Sequence, residues 1–170
     1  MQVAVIFYDG YCKLCNRSVR FILSKDKKQK FKFVAQQAPF AQNFLTQNNI
    51  SKLYPERILL FDEGKIYDES TAVLRIAKNL GFPYSMAYAF IIVPPFIRDF
   101  FYRIVARNRY HWFGKLTACP IPDERFKSRF IDRIISRKFS YTQQKFLQNP
   151  ASFCFFLYHS HMTRFRKDVN

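Results

Sequence analysis

Two cysteines near the start of the chain, Cys12 and Cys15, have the spacing of a redox-active dithiol. They follow a short apolar run at residues 3–7 and an Asp9-Gly10 turn signal, and apolar residues then recur at helical spacing. The pair is therefore expected to open a helix. Unpaired backbone N–H groups and the positive end of the helix dipole stabilise a thiolate over a thiol at such a position.

This placement predicts a different role for each thiol. Cysteines in such settings have pKa values of about 3.5–7.5, against about 8.5 for a free cysteine, so Cys12 is expected to be the nucleophile. Cys15 lies one turn deeper and is expected to be more buried and less ionised. It would resolve a mixed disulfide formed at Cys12. Such dithiol exchange requires neither a metal nor a nucleotide cofactor.

A Cys-x-x-Cys pair is also half of a structural zinc site, or it can be inert. A zinc site needs a second pair of ligands at similarly tight spacing. None of the remaining candidates forms a second Cys-x-x-Cys or His-x3-His unit; they are Cys119, Cys154, His111, His159 and His161. Redox chemistry is therefore favoured over metal binding. Cys119 is interpreted as a loop thiol that is either inert or a third redox-active cysteine.

The elements that must position the dithiol are predicted in the order β-α-β-α-β-β-α. After the Cys12 helix, residues 31–35 have the pattern of a strand, residues 38–48 that of a second helix, and residues 57–67 that of a β-hairpin. Ser70 is predicted to cap a third helix, which Gly81 ends. The predicted apolar face of this helix comprises Val73, Ile76, Ala77 and Leu80.

Three separated blocks resemble one known family. Residues 8–16, Tyr-Asp-Gly-Tyr-Cys-Lys-Leu-Cys-Asn, closely resemble the signature of the DCC family of thiol-disulfide oxidoreductases, a bacterial group named for its Asp-x-x-Cys-x-x-Cys core. Residues 70–76 resemble its middle segment and residues 98–119 its C-terminal block. The resemblance spans roughly residues 3–126. Thr71 departs from the family, in which an acidic residue is more usual at this position.

The resemblance implies a thioredoxin-like α/β domain that exchanges disulfides with a protein or a small-thiol substrate, with Asp9, Cys12 and Cys15 as site residues. Asp9 is either a turn former or a proton acceptor for Cys15. By analogy with thioredoxin-like proteins, Pro55 could face the dithiol as a cis-proline. An ordinary loop proline is the more frequent case, since only about 5–6% of X-Pro bonds in folded proteins are cis.

Residues 84–110 are predicted to form two helices around Pro94-Pro95 that cap the domain. The apolar side of the second helix is predicted to comprise Ile97, Phe101, Ile104 and Val105. Arg107, Asn108 and Arg109 either approach the dithiol and favour its thiolate, or make helix caps and surface pairs. The second interpretation is preferred.

Composition limits the class of protein and its partners. A chain of 170 residues with 49% hydrophobic content suits one packed domain, predicted over residues 1–126, followed by a basic aromatic tail of unassigned role at 127–170. The net charge is +16, and the tail, with nine Lys/Arg and two Asp/Glu, contributes +7 of it. Since no nucleic-acid-binding motif accompanies this charge, it is interpreted as a solvated or steering surface. The competing hypothesis is a non-catalytic module, with a metal-holding or vestigial dithiol, whose basic surface binds nucleic acid or anionic lipid.

The expected compartment is the cytoplasm. The N-terminus shows no signal-peptide pattern, and neither long apolar stretch reaches the roughly 20 residues that a transmembrane helix needs. In a reducing compartment, four cysteines favour a catalytic close pair over a disulfide framework.

Overall fold

The computed structural model describes residues 3–48, 50, 57–117 and 124–131 of the chain. In these residues one mixed sheet contains β1 (Ala4–Tyr8), β2 (Phe31–Ala35), β3 (Leu59–Asp62) and β4 (Lys65–Asp68). The strand order is β2-β1-β3-β4, with β1 parallel to β2 and antiparallel to β3. β3 and β4 form the predicted antiparallel hairpin.

Every residue of β1 is buried because helices cover both faces of the sheet. Ala4, Ile6 and Tyr8 pack in one core with residues of α1 (Lys13–Lys25) and α3 (Glu69–Leu80). Val5 and Phe7 alternate to the other face, where they pack in a second core with α2 (Pro39–Gln47). This architecture confirms the predicted thioredoxin-like α/β fold and makes β1 the central strand that leads into the dithiol.

α1 and α2 lie where the sequence predicted them, but α3 differs in its start and in its buried face. It begins at Glu69, so Ser70 is not its cap; Ser70 is instead buried, and its backbone N–H donates to the Asp99 carboxylate over 3.3 Å. Val73, expected on the apolar face, is 43% exposed, while Ala72 is fully buried. Ile76 and Leu80 of the predicted face do pack in the core, so the helix differs from the prediction chiefly at Ala72 and Val73.

The predicted cap consists of a 3-10 helix, Tyr84–Ile92, and a long helix, α4 (Pro95–Phe113). The predicted apolar side of α4 comprises Ile97, Phe101, Ile104 and Val105, and these side chains are 38–62% exposed, so this side faces away from the domain. The opposite side of the helix contacts the domain through polar side chains, including Asp99, Tyr102 and Arg109, because their partners are buried polar groups.

The last described segment, which includes a 3-10 helix at Glu124–Arg129, returns to the domain. Arg129 forms a buried ion pair with Asp26, and Phe130 and Ile131 enter the two cores on opposite faces of the sheet. Packing therefore continues beyond residue 126, where the sequence suggested the domain boundary. None of the helices in this described part of the chain combines the length and hydropathy that crossing a bilayer requires.

Candidate active site

The loop between β1 and α1 is held by hydrogen bonds before the first cysteine is reached. The Asp9 carboxylate accepts from the backbone N–H of Tyr11 over 3.0 Å, which forms the turn that the sequence predicted. The Gln37 side chain accepts from the N–H of Gly10 over 3.1 Å and donates to Asp9 over 2.8 Å. Asn16 donates to the carbonyl of Gly10 over 2.7 Å. These hydrogen bonds, from Gln37 and from Asn16 of α1, therefore fix the direction in which the chain enters α1.

Cys12 is the N-cap residue of α1, as the sequence predicted. Its backbone is extended, with φ −83° and ψ 122°, and its Sγ accepts a hydrogen bond from the N–H of Cys15 over 3.3 Å. The sulfur thus occupies the place that a Ser, Thr or Asp oxygen usually takes at a helix N-terminus. The positive end of the α1 dipole faces it.

A short segment at residues 114–116, which we call the strap, covers Cys12. Lys115 forms an isolated antiparallel bridge with Cys12, the N–H of Leu116 donates to the Tyr11 carbonyl over 2.7 Å, and the N–H of Lys13 donates to the Gly114 carbonyl over 3.4 Å. Cys12 is 0% exposed as a result. The strap is the direct continuation of α4.

Cys15, in contrast, is partly exposed and lines a cleft between α1, the β3 side of the sheet and α4. The expectation that Cys15 is the more buried of the two thiols was therefore wrong. Helical geometry alone places Cys15 one turn inward, but the strap, contributed from far along the chain, buries Cys12 more completely. Other residues lining the cleft are Asp9, Arg57, Tyr102, Val105 and Arg109.

The electrostatics of the cleft keep Cys15 protonated. Burial raises the pKa of Cys15 far above its ordinary value, and its hydrogen bond and charge interaction with Cys12 raise it further, while the Arg109 charge opposes them. Burial also raises the pKa of Tyr102 to about 12, although its hydrogen bond from the Ile58 N–H opposes this. Cys15 therefore keeps its proton near neutral pH, as the sequence analysis expected.

Asp9 forms a buried ion pair with Arg109 behind the dithiol. The Nη2 atom of Arg109 donates to Asp9 over 2.8 Å, and the side chains are 3% and 4% exposed. The Tyr110 hydroxyl also donates to Asp9. Burial opposes the charged form of Arg109, but its interactions with Tyr110, Cys15 and Asp9 outweigh this and raise its pKa. Arg109 is thus a permanent buried cation beside the cleft.

The structure brings together Asp9, Cys12 and Cys15, the three residues that the sequence singled out. It contradicts the preferred interpretation of Arg109, which is buried rather than part of a surface pair because α4 turns its polar side inward. Gln37 and Tyr110 were missed, since nothing in the local pattern relates them to residues so distant in the chain. Pro55 and Cys119 lie outside the described residues, so their predicted roles stay predictions.

The metal-binding alternative gains no support from the described part of the chain, in which no three Cys, His, Asp or Glu side chains are grouped to hold an ion. His111, the only one of the five possible additional ligands within the described residues, is exposed on α4. The zinc site would need ligands from elsewhere in the chain.

Comparison with known proteins identifies two relatives that match most of the chain. The chain is 32% identical over 127 residues to the uncharacterized protein YuxK of Bacillus subtilis (strain 168), covering 75% of this chain and 93% of YuxK. It is 31% identical over 118 residues to a chloroplastic DCC family protein of Arabidopsis thaliana, covering 69% of each chain. No solved structure matches significantly. The model of the DCC1-like thiol-disulfide oxidoreductase family matches residues 6–115. Since this match covers more than half of the chain, the protein belongs to the DCC1-like thiol-disulfide oxidoreductase family.

Proposed function

We propose that the protein exchanges disulfides with a protein or a small-thiol substrate, with Cys12 as the nucleophile and Cys15 as the resolving thiol. The observation that carries this proposal is the position of the Cys12 sulfur at the N-cap of α1, where it accepts the N–H of Cys15. A helix N-terminus favours negative charge, and the thiolate is the attacking species in disulfide exchange. Family membership supports a general redox role.

The proposed reaction has two exchange steps. The Cys12 thiolate attacks one sulfur of the substrate disulfide, the substrate S–S bond breaks, and the departing thiolate takes up a proton. Cys15 then loses its proton and attacks the Cys12 sulfur, which releases the second substrate thiol and leaves a Cys12–Cys15 disulfide. Two electrons pass to the substrate. An external dithiol reductant must then restore the Cys12 and Cys15 thiols.

Charge and exposure favour different thiols as the attacking group, and we give charge more weight. Cys15 is the more exposed thiol, but its raised pKa leaves little thiolate at neutral pH. Cys12 lies at the helix N-terminus, and the strap bridges its backbone. Releasing the strap breaks two backbone hydrogen bonds, each worth a net of about 0.5–1.5 kcal/mol. The free-energy cost of a transient opening of the strap is therefore small.

For Asp9, we propose a positioning role rather than that of a proton acceptor. Its carboxylate already accepts hydrogen bonds from Tyr11, Gln37, Arg109 and Tyr110. These four donors occupy about as many acceptor positions as a carboxylate offers, so a thiol donor would have to displace one of them. It instead holds the Arg109 cation beside the cleft, where the Arg109 charge lowers the pKa of Cys15 by more than the Asp9 charge raises it and so assists the resolving step.

Gly114→Ala is expected to speed alkylation of Cys12. Gly114 has φ +85°, and an added Cβ would lie 3.3 Å from the Lys13 Nζ and 3.4 Å from its Cδ, so the substitution strains the strap where it crosses α1. The measurement is the rate of iodoacetamide labelling at each cysteine, read by peptide mass spectrometry on the reduced protein.

Gly64→Ala is the matched control, because Gly64 also has a positive φ, +74°, but lies in the β3–β4 turn with nothing within 4 Å of the added Cβ. It should lose stability without changing the labelling of Cys12. Equal acceleration in both variants would mean that general loosening, and not release of the strap, exposes the thiol.

Catalysis of insulin reduction by dithiothreitol tests the proposed activity. Dithiothreitol is a strong reductant, so it can recycle a dithiol over much of the range of potentials of this class, and the assay does not presuppose the physiological direction of exchange. The protein is expected to shorten the lag before the reduced insulin chains precipitate, and the Cys12→Ser/Cys15→Ser variant should behave like buffer. A folded double variant as active as the unmodified protein would show that the dithiol is not the catalyst.

A further inference from the structure

The outward side of α4 is apolar from Phe96 to Ile104 and again at Trp112, with Arg107, Asn108 and His111 between them. Its exposed residues include Phe96 at 74%, Phe100 at 60% and Phe101 at 62%. At 100° per residue these side chains share one half of the helix with other exposed apolar residues. We define the apolar face of α4 as Phe96, Ile97, Phe100, Phe101, Ile104 and Trp112.

This face is comparable in area to the largest apolar patch of a typical soluble monomer, a kind of patch that often has a function. Its four aromatic side chains alone expose roughly 500 Å², taking about 200 Å² for each full ring. The largest apolar patch on a typical soluble monomer is about 300–600 Å². The 3-10 helix immediately before α4 adds Phe90 and Ile92, which are 65% and 85% exposed.

The charges around the face are almost all positive. Residues 82–117 contain five basic residues and one acidic residue, Asp99. Asp99 accepts hydrogen bonds from Ser70 on the inner side of α4, so no carboxylate lies on the outer side. Of the five basic residues, Arg109 is buried in its pair with Asp9, and Arg103, whose side chain is 51% exposed at the edge of the face, pairs with Glu69. Arg107 is exposed within the face, and Lys115 is exposed just beyond the end of α4.

We propose that the apolar face of α4 binds the surface of a membrane that contains anionic lipid. An apolar helix face with basic residues beside it lies in the interface of such a bilayer, its rings between the acyl chains and its basic groups near the lipid phosphates. Tryptophan side chains prefer the membrane–water interface, and Trp112 is part of the apolar face of α4. The proposal does not depend on the redox function.

Charge argues against the other ways of covering this face. A second copy of a chain with net charge +16 would bring two basic faces together, and the 127–170 tail is itself +7, with nine Lys/Arg and two Asp/Glu. Nucleic acid would pair with Arg107 but would leave the phenylalanine and isoleucine side chains without apolar contact. An anionic bilayer satisfies both features at once.

Membrane binding would also place the cleft close to the lipid surface. Val105 lines the cleft beside Cys15 and is itself 40% exposed on α4, next to the edge of the apolar face. Substrates held at the bilayer surface would therefore meet the cleft without first dissociating from the membrane.

Trp112 is the only tryptophan of the chain and lies in the proposed contact, which provides a direct test. The reduced full-length protein is mixed with vesicles of equimolar phosphatidylcholine and phosphatidylglycerol, and with vesicles of phosphatidylcholine alone. We expect a blue shift of Trp112 emission and quenching by lipids brominated on the acyl chain, with the anionic vesicles only. Arg107→Gln should weaken this binding about fivefold, the expected contribution of one basic residue at such a surface.

Phe96→Ser/Phe100→Ser tests whether the apolar face makes the contact. It should weaken vesicle binding at least about tenfold, since each ring loses its place in the bilayer. Val73→Ser, which removes an apolar side chain that is 43% exposed on α3, should leave binding unchanged. Circular dichroism checks that both variants fold, and the quenching of Trp112 in the unmodified protein is informative without either variant.

Several results would overturn the proposal. Absence of acyl-chain quenching would place Trp112 outside the bilayer. Vesicle binding that falls with salt but ignores Phe96→Ser/Phe100→Ser would assign it to basic residues elsewhere. A dimer in vesicle-free buffer that the same double substitution dissociates would make the face a contact between copies. Equally tight binding to duplex DNA, with the same dependence on the two rings, would assign the face to nucleic acid.

Discussion

Replacing Cys15 with Ser is expected to make mixed disulfides accumulate on Cys12. The variant keeps the sulfur at the N-cap of α1 but loses the thiol that would release the bound substrate, so exchange stops after the first step. Incubation of tagged Cys15→Ser protein with cell extract, followed by acid quenching and non-reducing electrophoresis, should show adducts that disappear on reduction. Mass spectrometry of these adducts would also identify the substrates.

Cys12→Ser is the matched control, since it keeps one thiol of the pair and should trap little. Because Cys12 is buried beneath the strap, exposure alone would predict little trapping on Cys12. Trapping in Cys15→Ser but not in Cys12→Ser would therefore show that charge, and not exposure, selects the nucleophile. If Cys12→Ser traps as many partners as Cys15→Ser, or if alkylation at neutral pH labels Cys15 before Cys12, the more exposed thiol is the nucleophile and our assignment is reversed. If neither variant traps a partner, the proposed exchange chemistry should be withdrawn.

Arg109→Met is expected to lower the free energy of unfolding by about 3–5 kcal/mol. The substitution preserves much of the side-chain length but leaves the Asp9 carboxylate buried without its cation, and removing one partner of a buried pair typically costs this much. Urea unfolding of the reduced protein measures the effect. Because the Arg109 charge lowers the pKa of Cys15, the variant should also need a higher pH for the resolving step.

Arg107→Met provides the comparison from the same helix, because Arg107 is exposed on the outer side of α4. Its cost should stay within about 0.5 kcal/mol, as for most surface substitutions. Adding Asp9→Asn to Arg109→Met should cost less than the sum of the single changes, since the second substitution removes the unpaired charge. Strict additivity would show that the two side chains do not stabilise each other.

Features set by neighbouring residues were predictable from the sequence. An apolar run, an Asp-Gly turn and cysteines at helical spacing were sufficient to place Cys12 at the start of α1, and the same local patterns located the sheet and its hairpin. The helix-terminal position of a thiol depends only on the residues that form the turn and the helix. Its preference for negative charge follows from this position.

Features that join distant parts of the chain were decided by the tertiary structure. The Arg109–Asp9 pair is separated by 100 residues, and the strap reaches Cys12 from the far end of α4, so no local period revealed either contact. The apolar side of α4 was recognisable from the spacing of its residues, but whether that side faces the domain or the solvent was not. The side of a helix that packs on the domain is the side whose groups find partners there. In α4 this is the polar side, because its side chains bind the buried carboxylate of Asp9 and the polar groups of Ser70 and Ile58. Burying the opposite side instead would have left those groups unpaired, at a cost of about 1–3 kcal/mol for each neutral group and more for the carboxylate.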